Sequence, residues 1–200
     1  MRGTGSTLHK TRPIAATNTP PAPAVPLALP FPPLYRPEQG VVLRPWGHPG
    51  DAAALARAWA DPAVARFTSV PKASTEADAA RWVSLESARR DKGMAVDLVI
   101  ASPEAPDLVL GEVGLAVVEP EKRWAEVGYW VVAEHRGRGL ASVSVGLFSE
   151  WALRDLPISR LFARTSPENP GSGLVAERAG YTRAGQLEDG TVVWMRDPDT

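Results

Sequence analysis

GYWVVAEHRGRGLAS, residues 128–142, runs an apolar stretch into a basic, glycine-rich turn and out again into apolar sequence. WAEVGYWVV (124–132) reads as a strand, and after the turn Leu140, Val143, Leu147, Phe148 and Trp151 recur at helical spacing to about Arg154. A strand that feeds such a turn into a helix N-terminus aims several backbone N–H groups in one direction, at the positive end of the helix dipole. The junction is therefore suited to an anion. Gly137 and Gly139 permit positive φ and close approach of a phosphate, and Arg136 and Arg138 can add charge-assisted hydrogen bonds to its oxygens.

Spacing separates the phosphate chemistries that use such turns. A triphosphate-binding loop needs Gly-Lys-Ser/Thr, which the chain lacks. A dinucleotide fingerprint would put its third glycine at Ser142, and the next strand, RLFART (160–165), ends without the acid that holds a ribose. Taken alone, the turn stays open between a cradle for another phosphate and a glycine-rich bend with solvated arginines.

Composition narrows the field. Two hundred residues, 44% of them hydrophobic, suffice for one domain with its own core. The absence of cysteine excludes disulfides, thiolate metal sites and a cysteine nucleophile, and fits a cytoplasmic setting. His9, His48 and His135 are scattered without metal-ligand spacing, so no metal is expected. Net charge is −1; Arg2, Lys10 and Arg12 are the charged residues of the first 33, which leaves about −4 for the remainder by subtraction. A mildly acidic body argues against nucleic-acid binding. Residues 1–33 hold eight of the 20 prolines, too many for a signal peptide or a membrane helix, and read as a Pro-rich disordered tail. Residues 34–200 are then the domain.

Within that domain GVVLRPW (40–46) predicts a strand, followed by a helix capped by Asp51 with Leu55 and Trp59 on one face. Asp61-Pro62 restarts a short helix, and Thr75 with Asp78 forms a variant capping box for one helix to about Arg90. DLVIA (97–101), LVLGEVGLAVV (108–118) and 124–132 then make an antiparallel meander. After RLFART come a helix from Pro170 to Ala179, stopped by Gly180, and two strands around EDG (188–190).

Two motifs in this order carry a resemblance. RGRGLA (136–141) matches R/Q-x-x-G-x-G/A, the acyl-CoA pyrophosphate loop of the GCN5-related N-acetyltransferases, and NPGSGLVAERAGY (169–181) matches the N-x-x-S…G-[FY] signature of that superfamily's ribosomal-protein N-terminal acetyltransferase (RimJ/RimL-like) branch. VVLRPWGHPGDAAALARAWADPAVARF (41–67) looks like the family's first strand and two helices, so the resemblance covers about residues 38–197. It implies an α+β fold: a mostly antiparallel mixed sheet of about seven strands, flanked by helices, with a bulged strand splaying from its neighbour. Here the splayed pair would be EVGYWVV and RLFART.

The same resemblance assigns roles. Main-chain amides of Arg136, Gly137, Arg138, Gly139, Leu140 and Ala141 would hold the pyrophosphate of acetyl-CoA, and an amide near Val131 or Val132 would polarise the thioester carbonyl. Asn169 would bind the pantetheine amides. Ser172 either serves as the acid for the departing thiolate or only caps its helix or hydrogen-bonds the cofactor. Glu126 and Glu112, carboxylates inside apolar strands, are the candidate bases, with Glu126 drawn toward the cleft by the bulge. Tyr181 fills a core aromatic position, and His135 lies beside the phosphate.

The implied function is transfer of acetyl from acetyl-CoA to a primary amine by direct attack in a ternary complex. The acceptor would be a protein N-terminus, a lysine or a small molecule, with no nucleic acid or membrane as partner and a homodimer allowed. A non-catalytic acyl-CoA-binding or regulatory module, and an acyltransferase for another acyl group such as succinyl, are the competing readings.

Overall fold

The computed structural model describes residues 25–30, 33–70 and 75–198. Its centre is one eight-stranded sheet of order β1-β2-β3-β4-β5-β6-β8-β7, one strand more than expected. The strands are β1 (Leu34–Arg36), β2 (Val41–Pro45), β3 (Ala95–Ala101), β4 (Gly111–Glu119), β5 (Trp124–Val131), β6 (Arg160–Thr165), β7 (Thr182–Gln186) and β8 (Val192–Arg196). The extra strand is β1, a three-residue edge that pairs Leu34 with Leu43. Neighbours are antiparallel except β5 and β6, which run parallel and touch through three pairs, from Trp124↔Arg160 to Glu126↔Phe162. A parallel pair needs a crossover, and α5 (Leu140–Asp155) supplies it.

Period-two alternation sorts the side chains onto two faces. On one face Val113, Leu115, Ala125, Val127 and Leu161 pack with Phe148 and Trp151 of α5 and with Ala176 of α6 (Pro170–Arg178). On the other, Val42, Val99, Ala101 and Trp130 pack with Leu55 and Trp59 of α1 (Asp51–Trp59), Val64 of α2 (Pro62–Phe67) and Ala79 of α3 (Glu76–Ser84). Phe148 is fully buried, worth about 1.5–3 kcal/mol by burial of its side chain alone.

Several local expectations need correction. Gly50, not Asp51, occupies the cap of α1. Asp51 turns its carboxylate back to accept from the Gly47 and His48 N–H groups and to pair with Arg44 at 2.8 Å, both side chains being buried. The helix expected to run from Thr75 to Arg90 breaks at Leu85, a solvent-exposed residue at φ −90°, ψ −2°, into α3 and α4 (Glu86–Asp91). Thr75 and Asp78 do form the reciprocal capping box. The register irregularity lies in β4, between Val117 and Glu119, and not in β5 before the splay.

Most of the expected Pro-rich tail, residues 1–24, lies outside the described residues, as do 31 and 32. Residues 25–30 depart from a free tail: Leu27 is 3% exposed within the α5-side core, and its N–H donates to the Arg90 carbonyl. An apolar side chain with a core site and a backbone partner is held, whatever the proline content around it. Among the described residues no helix is long and apolar enough to cross a membrane.

Candidate functional site

Past Glu126 and Phe162 the two parallel strands separate, and the wedge between them opens into a cavity of about 450 Å³. Its walls are Ala63, Val64 and Phe67 of α2, Tyr129 to Val131 of β5, the turn 135–142 and the start of α6. Gly111 fixes the upper end of β5: a Cβ there would collide with the Trp130 carbonyl, so β4 and β5 approach more closely than any other residue allows.

Hydrogen-bond alternation sets which backbone groups face the wedge. The Val132 N–H donates to the Leu110 carbonyl at 2.9 Å, which places Val132 in a bonded position toward β4. Val131, one residue earlier and opposite Gly111, is then in a non-bonded position, with its N–H and C=O turned to the side that β6 has left. Of the two amides expected as carbonyl-polarising donors, Val132 is thus already spent, and Val131 faces the cavity.

The turn itself has the expected form. Gly137 and Gly139 have φ of 75° and 80°, and a Cβ on either would meet nothing within 4 Å, so the surface of the turn is open. Gly139 caps α5 without any side-chain hydrogen bond, and the first turn of that 16-residue helix carries no acid. The amides of Leu140, Ala141 and Ser142 therefore have no partner inside the helix and line the cavity wall.

Both arginines also bond within the protein. Arg136 donates through Nε to the Val131 carbonyl at 2.8 Å and through Nη2 to Asp61 Oδ2 at 2.7 Å. Asp61 is also the cap of α2, accepting from the Ala63 N–H at 2.7 Å. Arg138 bonds the Glu134 carbonyl in the turn. These bonds use two of the five N–H groups of Arg136 and one of those of Arg138, so both side chains keep donors that could reach an anion.

At the mouth of α6, Asn169 Oδ1 accepts from the Ser172 N–H, so Asn169 is the helix cap, and it also lines the cavity. Ser172 is released from capping. Its Oγ lies 2.8 Å from the Tyr129 hydroxyl, which also reaches the Ser172 carbonyl at 2.9 Å. Burial holds the Tyr129 phenol above its ordinary pKa, against the opposing Ser172 bond. Tyr129 is the residue that motif reading missed, since its neighbours on β5 read simply as alternating strand. Tyr181 is buried and bonded to Ser149, and His135 lines the cavity wall.

The two candidate bases have unlike surroundings. Glu126 sits regularly on β5 opposite Ala116, and both its oxygens are held by Arg164 of β6 at 2.8 Å. Without a bulge before it, Glu126 is an ion pair bridging the strands just before they part. Glu112 on β4 accepts from the Trp130 indole N–H at 3.2 Å, while its Oε2 is buried with no partner among the described residues. Burial, reinforced by the charge of Asp97, pushes the Glu112 carboxyl well above the usual range, and the Trp130 N–H and the more distant Arg89 only partly oppose it. Asp97 is itself raised to about 6 by burial, despite its Arg89 partner at 3.2 Å.

Trp130, with Glu112 bonded to it, belongs to the α1–α3 face of the sheet, whereas Tyr129, with Ser172 bonded to it, and Val131 belong to the α5–α6 face. Trp130, bonded to Glu112, and the Tyr129–Ser172 hydroxyl pair thus reach the cavity wall from opposite faces of β5, while Glu112 itself is not among the residues that line it.

Comparison with known proteins agrees with this architecture. The acetyltransferase (GNAT) domain family matches residues 41–182. An uncharacterized N-acetyltransferase, p20, of Bacillus licheniformis is 27% identical over 139 residues, 70% of this chain and 78% of that protein. The ribosomal-protein-serine acetyltransferase of Escherichia coli is 28% identical over 82 residues, 41% of this chain and less than half (46%) of that protein. Among solved structures, Mycobacterium smegmatis RimJ in complex with CoA-disulfide superposes with a TM-score of 0.68 at 23% identity, covering 82% of this chain and 85% of that one.

Proposed function

Because the chain belongs to the GNAT acetyltransferase family, an N-acetyltransferase fold that uses acetyl-CoA, we propose that it moves the acetyl group directly to a primary amine while both substrates are bound. The observation that carries this reading is the Val131 amide facing the wedge between β5 and β6, beside the N-terminus of α5, whose Gly139 cap makes no side-chain hydrogen bond.

In this reading the pyrophosphate lies on the amides from Gly137 to Ala141, and the pantetheine arm enters the wedge as an extended chain. The thioester oxygen receives the Val131 N–H; one such donor contributes about 3 kcal/mol of transition-state stabilisation. An amine approaching from the α1–α3 face forms the new C–N bond, and its surplus proton goes to Glu112, whose Oε2 is the unengaged oxygen. The amine attacks as the neutral base and loses one proton after the C–N bond forms, so Glu112 must be ionised to take it. The C–S electron pair leaves with sulfur on the α5–α6 side, where the Ser172 hydroxyl donates to it. Glu126, with both oxygens on Arg164, is left a structural part.

Release of CoA from acetyl-CoA, followed across a panel of N-terminal peptides, lysine peptides and small amines, tests the proposal. At least one amine should be acetylated with matching CoA release, and Glu112→Gln should abolish most of it. Tight CoA binding with no transfer to any amine would sink the reading in favour of a binding module.

A further inference from the structure

We infer that Tyr129 is a positioning residue for the leaving group: its hydroxyl holds the Ser172 hydroxyl toward the thiol end of the cleft and keeps it hydrogen-bonded when Ser172 turns to sulfur. The inference rests on the acyl-CoA reading of the wedge.

The geometry gives the phenol two acceptors on one residue, the Ser172 carbonyl at 2.9 Å and Oγ at 2.8 Å, and it has a single hydrogen to share between them. When that hydrogen points at the carbonyl, the Ser172 Oγ–H can donate to the phenol oxygen. Once sulfur gains the C–S electron pair, the Oγ–H can swing to sulfur and the phenol hydrogen can swing to Oγ. Two hydroxyls rotate, no heavy atom moves, and neither oxygen loses all its partners. No proton is transferred in this exchange, so CoA departs as a thiolate stabilised by one strengthened donor, and the amine proton remains on the base.

Three further observations fit this role. Asn169 caps α6 and frees Ser172 from that duty. Tyr129 and Ser172 both line the wedge cavity. Burial keeps the Tyr129 phenol protonated, hence a donor, well past neutral pH. Because both oxygens are held in place and only hydroxyl hydrogens turn, the reorganisation at the moment of reaction is small.

The acidity of the CoA thiol in the bound state reports this donor without any acceptor amine. The chain contains no cysteine, so the rate of iodoacetamide alkylation of protein-bound CoA, followed against pH, reads that thiol alone. In the wild-type complex the thiol pKa should fall below that of free CoA. Tyr129→Phe, which keeps the ring, and Ser172→Ala should each raise it by about one pH unit, the scale of a hydrogen bond to an anion. The double variant should raise it no further than either single one, whereas Ser172→Thr should keep the wild-type value. CoA affinity by calorimetry is measured first on every variant. Loss of CoA binding by the wild type would overturn the cleft reading itself. CoA bound by Tyr129→Phe with an unchanged thiol pKa, or additive effects in the double variant, would overturn the role of Tyr129.

Discussion

Arg136 Nη2 lies 2.7 Å from Asp61 Oδ2, while the other Asp61 oxygen caps α2 and Arg136 Nε holds the Val131 carbonyl. One arginine thereby ties the helix that walls the cleft to the peptide that flanks its free amide. Asp61→Ala should cost about 1 kcal/mol of stability for the lost cap and weaken acetyl-CoA binding. Asp61→Asn, an equally good cap, should regain the stability and leave the binding loss. Denaturant midpoints and calorimetric titration separate the two effects; equal acetyl-CoA affinity in all three proteins would refute the coupling.

Glu112 offers a pH signature of opposite sign in activity and stability. As a base it must be ionised, so kcat/KM should rise as pH passes through its raised pKa, and Glu112→Gln should remove that limb and lower the rate about 100-fold. Its folded-state pKa exceeds the unfolded value, so the folded state gives up stability as pH rises from the ordinary carboxylate range toward the raised one. Glu112→Gln should therefore be more stable than wild type at neutral pH and level with it near about pH 4. A pH-independent stability difference would contradict the assignment.

Glu126→Gln should behave differently. Its partner Arg164 is more than half exposed, at 53%, so the pair contributes about 0–1 kcal/mol, and turnover should fall far less than in Glu112→Gln. Side-by-side rates of the two variants decide which carboxylate takes the proton.

Asp51 works at a distance from the chemistry. Burial alone would raise its pKa, but the buried Arg44 guanidinium and the Gly47 and His48 N–H groups outweigh it and hold the carboxyl below its ordinary value. A depressed folded pKa adds stability that is present at neutral pH and lost as pH falls through it. Asp51→Ala would strand Arg44 in the interior and should cost about 3–5 kcal/mol, read as a drop in the urea midpoint; a loss within experimental error would disprove the buried pair.

Gly139→Ala introduces a Cβ where φ is 80° and nothing stands within 4 Å. The cost is conformational, about 1 kcal/mol, and the distorted turn should bind CoA at least several-fold more weakly. Unchanged CoA affinity would argue against the amides of this turn as the phosphate site.

Much of this was legible before the structure because it rests on local rules. β6 spans the expected residues 160–165, and α5 and α6 end within a residue of expectation, since their apolar periods and flanking glycines are written in adjacent residues. Asp61-Pro62 and Thr75–Asp78 cap as read. What could not be read was pairing across the chain. The Arg136–Asp61 pair, 75 residues apart, leaves no mark in the sequence. Tyr129 was passed over because Ser172 reaches it only through the fold, and Glu126 and Glu112 look alike until Arg164 takes one and the interior takes the other. The edge strand β1 is too short to show a period.

The seam between β5 and β6 is only three residue pairs long. Beyond it, the β6-β8-β7 portion of the sheet is joined to the rest mainly by helices and by whatever fills the wedge. An acyl-CoA seated there would act as a temporary strand, a splint between two half-sheets. Heat or denaturant should part the molecule along that line first, and each bound cofactor should close it: at a hundred times its dissociation constant, a ligand adds about 2.7 kcal/mol. A simple melting scan then ranks acyl-CoA thioesters by fit, independently of any amine.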